Sequence, residues 1–555
     1  MRNDKLSREE RDVIQNNENL HRYLVSLEKG RPETPRSWLY EQDESPEVTL
    51  NNWLEQLKVL ENGSDFEKEV FHFDTSQLEK WGPQGQVLPI NELMDIVEEG
   101  FKLGDPPRPA IFRSRDWEFA KDMVSRELAR RTGGALRPAP YNRVIDDMRV
   151  RDTLESNSGW PLFAKRKTPE IVSASVADAE SGAWKNYPAI ALFRNYNCKT
   201  RLVWMFPMST NLVEGSFFQP LQSALLRYDL RFPLVVERGF SEFAPWHGFE
   251  WCRRSISRVY NNAPAGRFQP TLAASDFSST DAHFTHWQTQ EVFDVIKHCF
   301  QKQYWRALEE SLMHMHSIPL VIGEDSQLTG LHGVSSGSNW TNFVETIFDI
   351  ILGEYVEFTL APSNARSQEY LSHDRVWHAR CRYAIGDDML WYCDWYDEGF
   401  SEQLEEVGKA VGQVIKAEKT TNDPGKVKSL QRLFQRGYNR PDGLTRGVYS
   451  TIRALKSSVY PERFHKPKLW SSDMFCARQF MILENCVDHP LFEQFVKFIV
   501  HGHRDLIPFS KKQPRELDEI LRKTKLLPGF NPTYNQERRD TSLADFESIK
   551  IASKL

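Results

Sequence analysis

The chain has 555 residues, 40% of them hydrophobic and 12% aromatic, with 71 Lys and Arg against 77 Asp and Glu for a net charge of −6. This is more chain than one ordinary domain needs, with apolar content sufficient for a large core. Met1 to Glu10 contain no apolar signal region, no stretch approaches the run that spans a bilayer, and seven cysteines without a Cys-x-x-Cys pair exclude a disulfide framework or a structural zinc site. A reducing, intracellular setting fits this cysteine usage.

In chain order, the first ~90 residues carry helical patches at Leu20 to Leu27 and Trp53 to Leu60, separated by a loop rich in Pro and Glu from Arg31 to Pro46. Residues 1 to 100 hold eleven basic and twenty-two acidic side chains, so this segment is expected to form a separate acidic lobe. Lys199 and Arg201 are two apart on an expected strand and therefore share one face. An apolar run ends at Asp276, and a turn containing Asp281 leads to a helix through Thr289 to Ile296. Met313-His314-Met315-His316 lacks Cys or acidic neighbours, so the methionines are expected in the core and the histidines are not assigned to a metal. Ile318 to Ile322 and Gln327 to Leu331 flank an expected hairpin turn. The loop Gly333 to Thr341, rich in small residues, enters an apolar helix from Phe343 to Leu352. Helical periodicity from Leu404 to Ile415 is expected to end near Lys419.

Gly386-Asp387-Asp388 lies between two short apolar runs, Cys381 to Ile385 and Met389 to Cys393. The pattern predicts a tight hairpin, with glycine supplying the positive φ and two carboxylates at a rigid tip. Unpaired carboxylates there are costly, which points to a cation shared with a partner, and the pair Asp276 and Asp281 is the partner expected.

The order of acidic strand, serine-glycine loop with helix, and Gly-Asp-Asp hairpin resembles the palm of viral RNA-dependent RNA polymerases. The resemblance extends outside the palm. Ser156-Asn157-Ser158-Gly159-Trp160-Pro161-Leu162 is similar to the family's template-channel motif. Lys199 to Pro207 resembles its basic fingers motif, and Ile415 to Thr420 resembles the segment that carries its lysine. Ser429 to Phe434 is similar to the primer-grip turn. Ala454 to Phe464 resembles a thumb-proximal signature of small bisegmented double-stranded RNA viruses, with the picobirnavirus group nearest and partitiviruses next. The family usually has asparagines four and eight residues after the motif threonine and a proline before the motif serine. Here those positions are Glu345, Asp349 and Ser335, with Asn342 beside Thr341.

The resemblance implies an α+β right-hand fold closed by fingers–thumb contacts. Its expected division is an N-terminal extension (1–90), fingers (91–265), first palm segment (266–300), fingers insertion (301–330), second palm segment (331–438), and thumb with C-terminal tail (439–555). It implies two Mg2+ ions, with Mn2+ as a substitute, held by Asp276, the Phe277 carbonyl, Asp387 and Asp388. Lys419 would be the general acid. Lys199, Arg201, Asp281, Ser336, Gly337, Thr341 and Asn342 would bind the nucleotide, and Ser158, Gly159, Arg432, Arg453, Lys456 and Arg463 the RNA. Lys426 to Lys468 holds eleven basic and two acidic residues, the expected footprint of RNA, with the acidic N-terminal lobe facing away from it. Expected partners are template RNA, nascent RNA, nucleoside triphosphates and the viral capsid protein, with a monomer working inside the virion and in host cytoplasm. A reverse transcriptase, or a catalytically silent RNA-binding or packaging protein on the same fold, are the alternatives.

Overall fold

The computed structural model describes residues 1–36, 44–227, 246, 248–261, 269–360, 379–530 and 542–555. Residues 37–43 of the expected Pro- and Glu-rich loop lie outside them. Strand β1 (Arg2–Lys5) opens the chain and leads to helices α1 (Arg8–Gln15) and α2 (Glu18–Lys29). Ser7 and Asn17 start these helices by accepting the backbone N–H of Glu10 and Leu20. Helices α3 (Pro46–Leu57), α4 (Asp65–Ser76) and α5 (Arg115–Thr132) precede the strand pair β2 (Ala189–Tyr196) and β3 (Lys199–Met205). Helices α6 (Met208–Arg227) and α7 (Phe249–Asn261) follow. Next come β4 (Thr271–Asp276), the single turn α8 (Thr280–His283), α9 (His286–Ile296), β5 (Leu320–Val321) and β6 (Ser326–Thr329). Helix α10 (Thr341–Thr359) precedes the hairpin of β7 (Ala379–Ile385) and β8 (Asp388–Cys393), and then α11 (Phe400–Ala410). Strands β9 (Thr421–Asp423), β10 (Lys426–Ser429), β11 (Arg432–Gln435) and β12 (Val448–Tyr449) lead to α12 (Thr451–Val459), and α13 (Ser472–Glu484) begins a C-terminal group of helices.

An antiparallel sheet in the order β7-β8-β4-β9 forms the middle of this α+β fold. Its strands are apolar at successive positions because both faces are covered. Ala273, Ala384, Met389 and Trp391 join the core beneath α10, while Leu272, Tyr383 and Leu390 face Phe249 and Ile256 of α7. Helix α10 is buried between β7 and α5, which explains its apolar composition on every side. Trp340 and Trp391 are core residues, as are Met315 and His316 of the Met-His run. His316 shares a hydrogen bond with the Thr289 hydroxyl at 2.6 Å, and burial pushes its imidazole down to about 3, so it stays neutral.

A second sheet, β1-β6-β5-β2-β3, contains the expected hairpin β5–β6. It also overturns the separate N-terminal lobe. Strand β1 pairs with β6, and Leu20, Leu24 and Leu27 of α2 belong to the same core as the central sheet. Helices α3 and α4 instead join the core of α12, α13 and the C-terminal helices. The acidic side chains lie largely on the exposed faces of these helices, so charge average concealed the apolar stripes that dock them. The other correction concerns residues 404–415. Helix α11 ends at Ala410 because Gly412 turns the chain at φ +78°, and Ile415 pairs with Phe277 in an isolated antiparallel bridge.

One carboxylate fastens the N-terminal segment to the C-terminal part. Asp74, fully buried at the end of α4, accepts hydrogen bonds from the Ser450 hydroxyl at 2.6 Å and from the N–H groups of Thr451 and Ile452 at 3.2 and 3.1 Å. It thereby caps α12 from a distant segment, and His489 Nε2 contacts it at 2.9 Å. Burial raises its carboxyl pKa, but the contacts to His489, Ser450 and Thr451 outweigh burial and hold it below the usual range. Asp74→Ala is expected to cost about 3–5 kcal/mol, read as a fall in unfolding midpoint, because it leaves several buried donors unpaired. Since the folded carboxyl is the stronger acid, its contribution is present above the unfolded carboxylate pKa and fades as pH falls through the folded one. The wild type and Asp74→Ala should therefore converge in acid.

Candidate active site

Strand β4 pairs with β8 so that Asp276 stands directly opposite Asp388. The register is pinned from within: Trp391 Nε1, fully buried, donates to the Ser275 hydroxyl at 2.9 Å. A one-residue slip would turn the whole apolar set of each strand to the wrong face. Strands β7 and β8 pair up to Ile385 opposite Asp388, which leaves Gly386 and Asp387 as a two-residue turn. Gly386 adopts φ +56°, and a Cβ there would lie 3.0 Å from Asn342 Nδ2 and 3.6 Å from Glu345 Oε2. Its N–H donates to the Thr346 hydroxyl at 2.9 Å, and Thr280 donates to Asp387 Oδ2 at 3.2 Å. Helices α10 and α8 thus hold the hairpin tip from two sides.

Six carboxyl groups converge here, and their acidities record the crowding. Burial, followed by the charges of Asp387 and Asp276, pushes Asp388 up to about 7. Burial and then Asp387 raise Asp281 to about 6, with Arg201 opposing. Asp276 and Asp387 are raised chiefly by burial, Asp276 being partly relieved by Lys419. Glu345 is pushed well up by burial and by Asp281 and Asp387. Asp349 is also pushed well up, and both its oxygens lack a partner among the described residues. Excess negative charge on hard oxygen donors is what a divalent cation relieves, so Asp276, Asp387 and Asp388 fit one chemically. The Phe277 carbonyl accepts from Thr280 Oγ1 at 3.4 Å and keeps a second lone pair.

Asp276, Asp388 and Lys419 line an open cleft of about 700 Å3, together with Lys80, Lys426, Lys428 and the β10–β11 turn. That turn is made by Leu430 and Gln431, both at positive φ without a glycine. Lys419 lies in a short 3-10 turn, Ala417–Lys419, and not at a helix end, which removes dipole complementarity as the reason for its position. Asp281 is the second residue of α8, whose cap position is Ser279, so helix capping does not account for it.

Lys199 and Arg201 project from one face of β3, both exposed. The Arg201 guanidinium stacks 4.9 Å from the Tyr196 ring centre. Gly337 is laid so tightly on β3 that a Cβ would overlap the Trp204 carbonyl at 1.5 Å, which is why only glycine serves there. Ser336 donates to the Leu202 carbonyl at 3.3 Å, and Thr341 to the Ser335 carbonyl at 2.6 Å, so the loop's hydroxyls are engaged with backbone. Asn342 remains at the hairpin tip, accepting from Trp246 Nε1 at 3.3 Å.

Several expected RNA contacts are buried. Ser158 is 2% exposed and its hydroxyl accepts from the Ala164 N–H at 3.1 Å, while a Cβ on Gly159 would meet the Phe206 carbonyl at 2.6 Å. This pair seats its loop against the end of β3 and is not an open RNA surface. Arg432 is a correction of the same kind. Its guanidinium is buried, donates to the carbonyls of Gly447 and Asn485 at 3.1 and 2.8 Å, and stacks on Phe249. Arg453 and Lys456 are also buried, and Lys426 pairs with Glu69 of α4 at 2.8 Å. The basic stretch is therefore not one continuous footprint. Arg463 is exposed and lines a second cleft of about 700 Å3, with Arg31, Asn157, Lys165, Arg194 and Phe464.

Sequence reasoning passed over Glu214. This buried carboxyl accepts from the Ser338 hydroxyl and from the Asn339 N–H at 3.1 Å, and burial pushes it up to about 7. Asn211 and Arg166 extend the network to the 156–166 loop. A lone Glu and Asn in an apolar helix was the available signal. Thr280 and Thr346, which hold the hairpin, carried no signal in the sequence.

The fold and this arrangement of carboxylates define the viral RNA-dependent RNA polymerase class, and residues 197–446 match the family model described as viral RNA-dependent RNA polymerase. The chain's likeness to picobirnavirus proteins runs through its length. The chain is 24% identical to the "Potential RNA-dependent RNA polymerase" of Human picobirnavirus (strain Human/Thailand/Hy005102/-), over 97% of this chain and 96% of the relative. The crystal structure of the RNA-dependent RNA polymerase of a human picobirnavirus superposes with a TM-score of 0.76 at 20% identity, covering 99% of this chain and 100% of that one. An insertion loop deletion mutant of such a polymerase superposes with a TM-score of 0.74 at 21% identity, with the same coverage of 99% and 100%.

The raised carboxyl pKa values yield a stability prediction. Between the unfolded carboxylate pKa and about 7, the metal-free folded protein binds more protons at Asp388 than the unfolded chain does, so this group's contribution to stability falls as pH rises through that window. Asp388→Asn should therefore unfold at a higher temperature than wild type at pH 8 in chelator, with the gap closing near pH 5. Mn2+ should raise the wild-type midpoint at pH 8 and do so much less for the variant.

Proposed function

We propose that this RNA-directed RNA polymerase replicates and transcribes a double-stranded RNA genome by two-metal nucleotidyl transfer from nucleoside triphosphates. The observation that carries the reading is the pairing of Asp276 with Asp388 across β4 and β8, with Asp387 at the adjoining turn and one open cleft beside them. Two divalent ions, Mg2+ with Mn2+ as a substitute, would be held by Asp276, the Phe277 carbonyl, Asp387 and Asp388, and would supply charge neutralisation at the primer hydroxyl and the triphosphate.

The primer 3′-hydroxyl gives up its proton to water as its oxygen forms a bond to the α-phosphorus, and the bond to pyrophosphate breaks. Lys199 and Arg201, on the same face of β3, hold the phosphates and the charge that develops on them. Lys419, beside Asp276, donates the proton that the leaving pyrophosphate takes. Asp281, Asn342 and Glu345 surround the place where a ribose would lie next to Gly386. Burial favours the protonated form of Glu345, the form that can donate a hydrogen bond to a sugar hydroxyl as the usual asparagine amide would. Ser336, Gly337 and Thr341 act through the backbone they position. Single-stranded template fits the cleft lined by Arg31, Lys165, Arg194, Arg463 and the half-exposed ring of Phe464.

For residues 91–555 we propose the subdomain division expected from the sequence, with the first 90 residues shared between the fingers sheet and the thumb core. Work inside the virion and in host cytoplasm, contact with the capsid protein, and a monomeric state complete the proposal. The family match does not favour a reverse transcriptase, and intact carboxylates do not favour a silent packaging protein.

Primer extension with ribo- and deoxynucleotides tests the reading. Asp276→Ala and Asp387→Ala should abolish incorporation while fold and RNA binding persist, and Asp388→Ala should be hurt less. A tenth of the wild-type rate retained in Asp387→Ala is the result that sinks the two-metal assignment. Asp281→Ala should narrow ribose discrimination by about 1–3 kcal/mol, the loss of one buried polar contact. An unchanged ratio removes Asp281 from sugar selection.

A further inference from the structure

On the β2–β3 hairpin, Arg194 and Arg201 stand directly opposite one another, and Tyr196 pairs with Lys199 two residues nearer the turn. Strand period puts all four side chains on one face. Like charges in such a cross-strand pair repel, so the two arginines need compensation. They obtain it differently. Arg194 makes a bidentate ion pair with Glu462, both contacts at 2.7 Å. Arg201 is exposed and makes no ion pair among the described residues. Both guanidiniums nevertheless lie over the Tyr196 ring, Arg194 at 4.8 Å and Arg201 at 4.9 Å from its centre. The π-electrons of one ring therefore serve two cations.

The partner of Arg194 is itself held in place. Gln84, nearly fully buried, fixes the hairpin turn against the end of α12: its Oε1 accepts from the Asn197 N–H at 3.1 Å, and its Nε2 donates to the Tyr460 carbonyl at 2.6 Å. Glu462 follows two residues on, and its carbonyl accepts from the Thr34 hydroxyl at 2.7 Å. Arg194 lines the cleft proposed for the template. The Arg201 charge acts on the carboxylate site: burial first raises Asp281 and Asp387, and Arg201 opposes the rise in both.

We propose that Tyr196 is a positioning residue for the incoming nucleotide: its ring holds the Arg201 guanidinium ready for the triphosphate, and Glu462 permits this by neutralising Arg194, the second cation on the same ring. A long side chain on a strand surface loses rotamer freedom when a phosphate fixes it. A guanidinium already resting on an aromatic face has lost part of that freedom beforehand, so less is lost on binding. Tyr196 precedes the basic segment Lys199 to Pro207 and carries no charge, so no motif marks it. Its role rests on the reading of Arg201 as a ligand of the triphosphate.

The test measures the nucleotide KM of the full chain on one primer and single-stranded template. Tyr196→Leu should raise this KM roughly two- to fivefold, an exposed cation–π contact expressed as affinity. Tyr196→Phe keeps the ring face and should retain the wild-type value. Increasingly fluorinated phenylalanines at position 196 keep the shape but drain the ring of electron density. Across that series KM should climb while the unfolding midpoint stays put. In an Arg201→Gln background these changes should vanish, because the ring then has no phosphate ligand to hold. A flat fluorinated series, or a Tyr196→Leu effect of equal size with and without Arg201, overturns the positioning role and leaves Tyr196 as packing. If Arg201→Gln itself leaves KM unchanged, the reading of Arg201 as a phosphate ligand fails and the role of Tyr196 falls with it. A raised KM in Arg201→Gln beside a flat fluorinated series overturns the role of Tyr196 alone, which separates the two failures.

Discussion

Asp276 stands opposite Asp388 because β4 and β8 can pair productively in one register, and the rest of the site is arranged around that pairing. Both faces of the sheet are buried, so a slip of one residue would expose Trp391, Leu390 and Leu272 to the wrong neighbours along with misplacing two carboxylates. The fold therefore spends hydrophobic burial on holding like charges together, and the raised pKa values of Asp281, Asp387 and Asp388 reflect the tension this leaves. Two hydroxyls hold the tip without neutralising it, Thr280 of α8 donating to Asp387 and Thr346 of α10 accepting from the Gly386 N–H.

The same logic of remote support recurs across the molecule. Asp74 caps α12 from the N-terminal segment, and Gln84 ties the β2–β3 hairpin to the end of that helix. Closure of the hand thus depends on residues whose local sequence shows nothing unusual. A short N-terminal truncation would remove β1 from its sheet, and a longer one would take away the cap on α12.

The elements that bear chemistry were legible because each has a local cause. Gly386 is demanded by a positive φ, Lys199 and Arg201 share a face by strand period, and apolar runs on both sides of the hairpin announce a doubly covered sheet. What stayed hidden depends on partners distant in sequence. Acidic composition suggested a detached lobe, yet α2 and α3 dock by leucines and tryptophan spaced one helical turn apart. Arg432 read as an RNA contact because a basic residue in a basic stretch looks exposed, and only the tertiary fold reveals Phe249 and Asn485 around it. The positions proposed to face the ribose fall between these cases. Glu345 and Asp349 were recognisable as departures, but the structure separates them: Glu345 faces the hairpin tip and Asp349 the interior.

The most direct measurement of the central claim is anomalous scattering from crystals of the full chain soaked with Mn2+ and a nonhydrolysable nucleoside triphosphate. The account predicts two peaks about 3.5–4 Å apart, bounded by carboxylate oxygens of Asp276 and Asp387 with Asp388 and the Phe277 carbonyl beside them. Ordered nucleotide with no manganese between Asp276 and Asp387, or manganese held by other carboxylates, would contradict it.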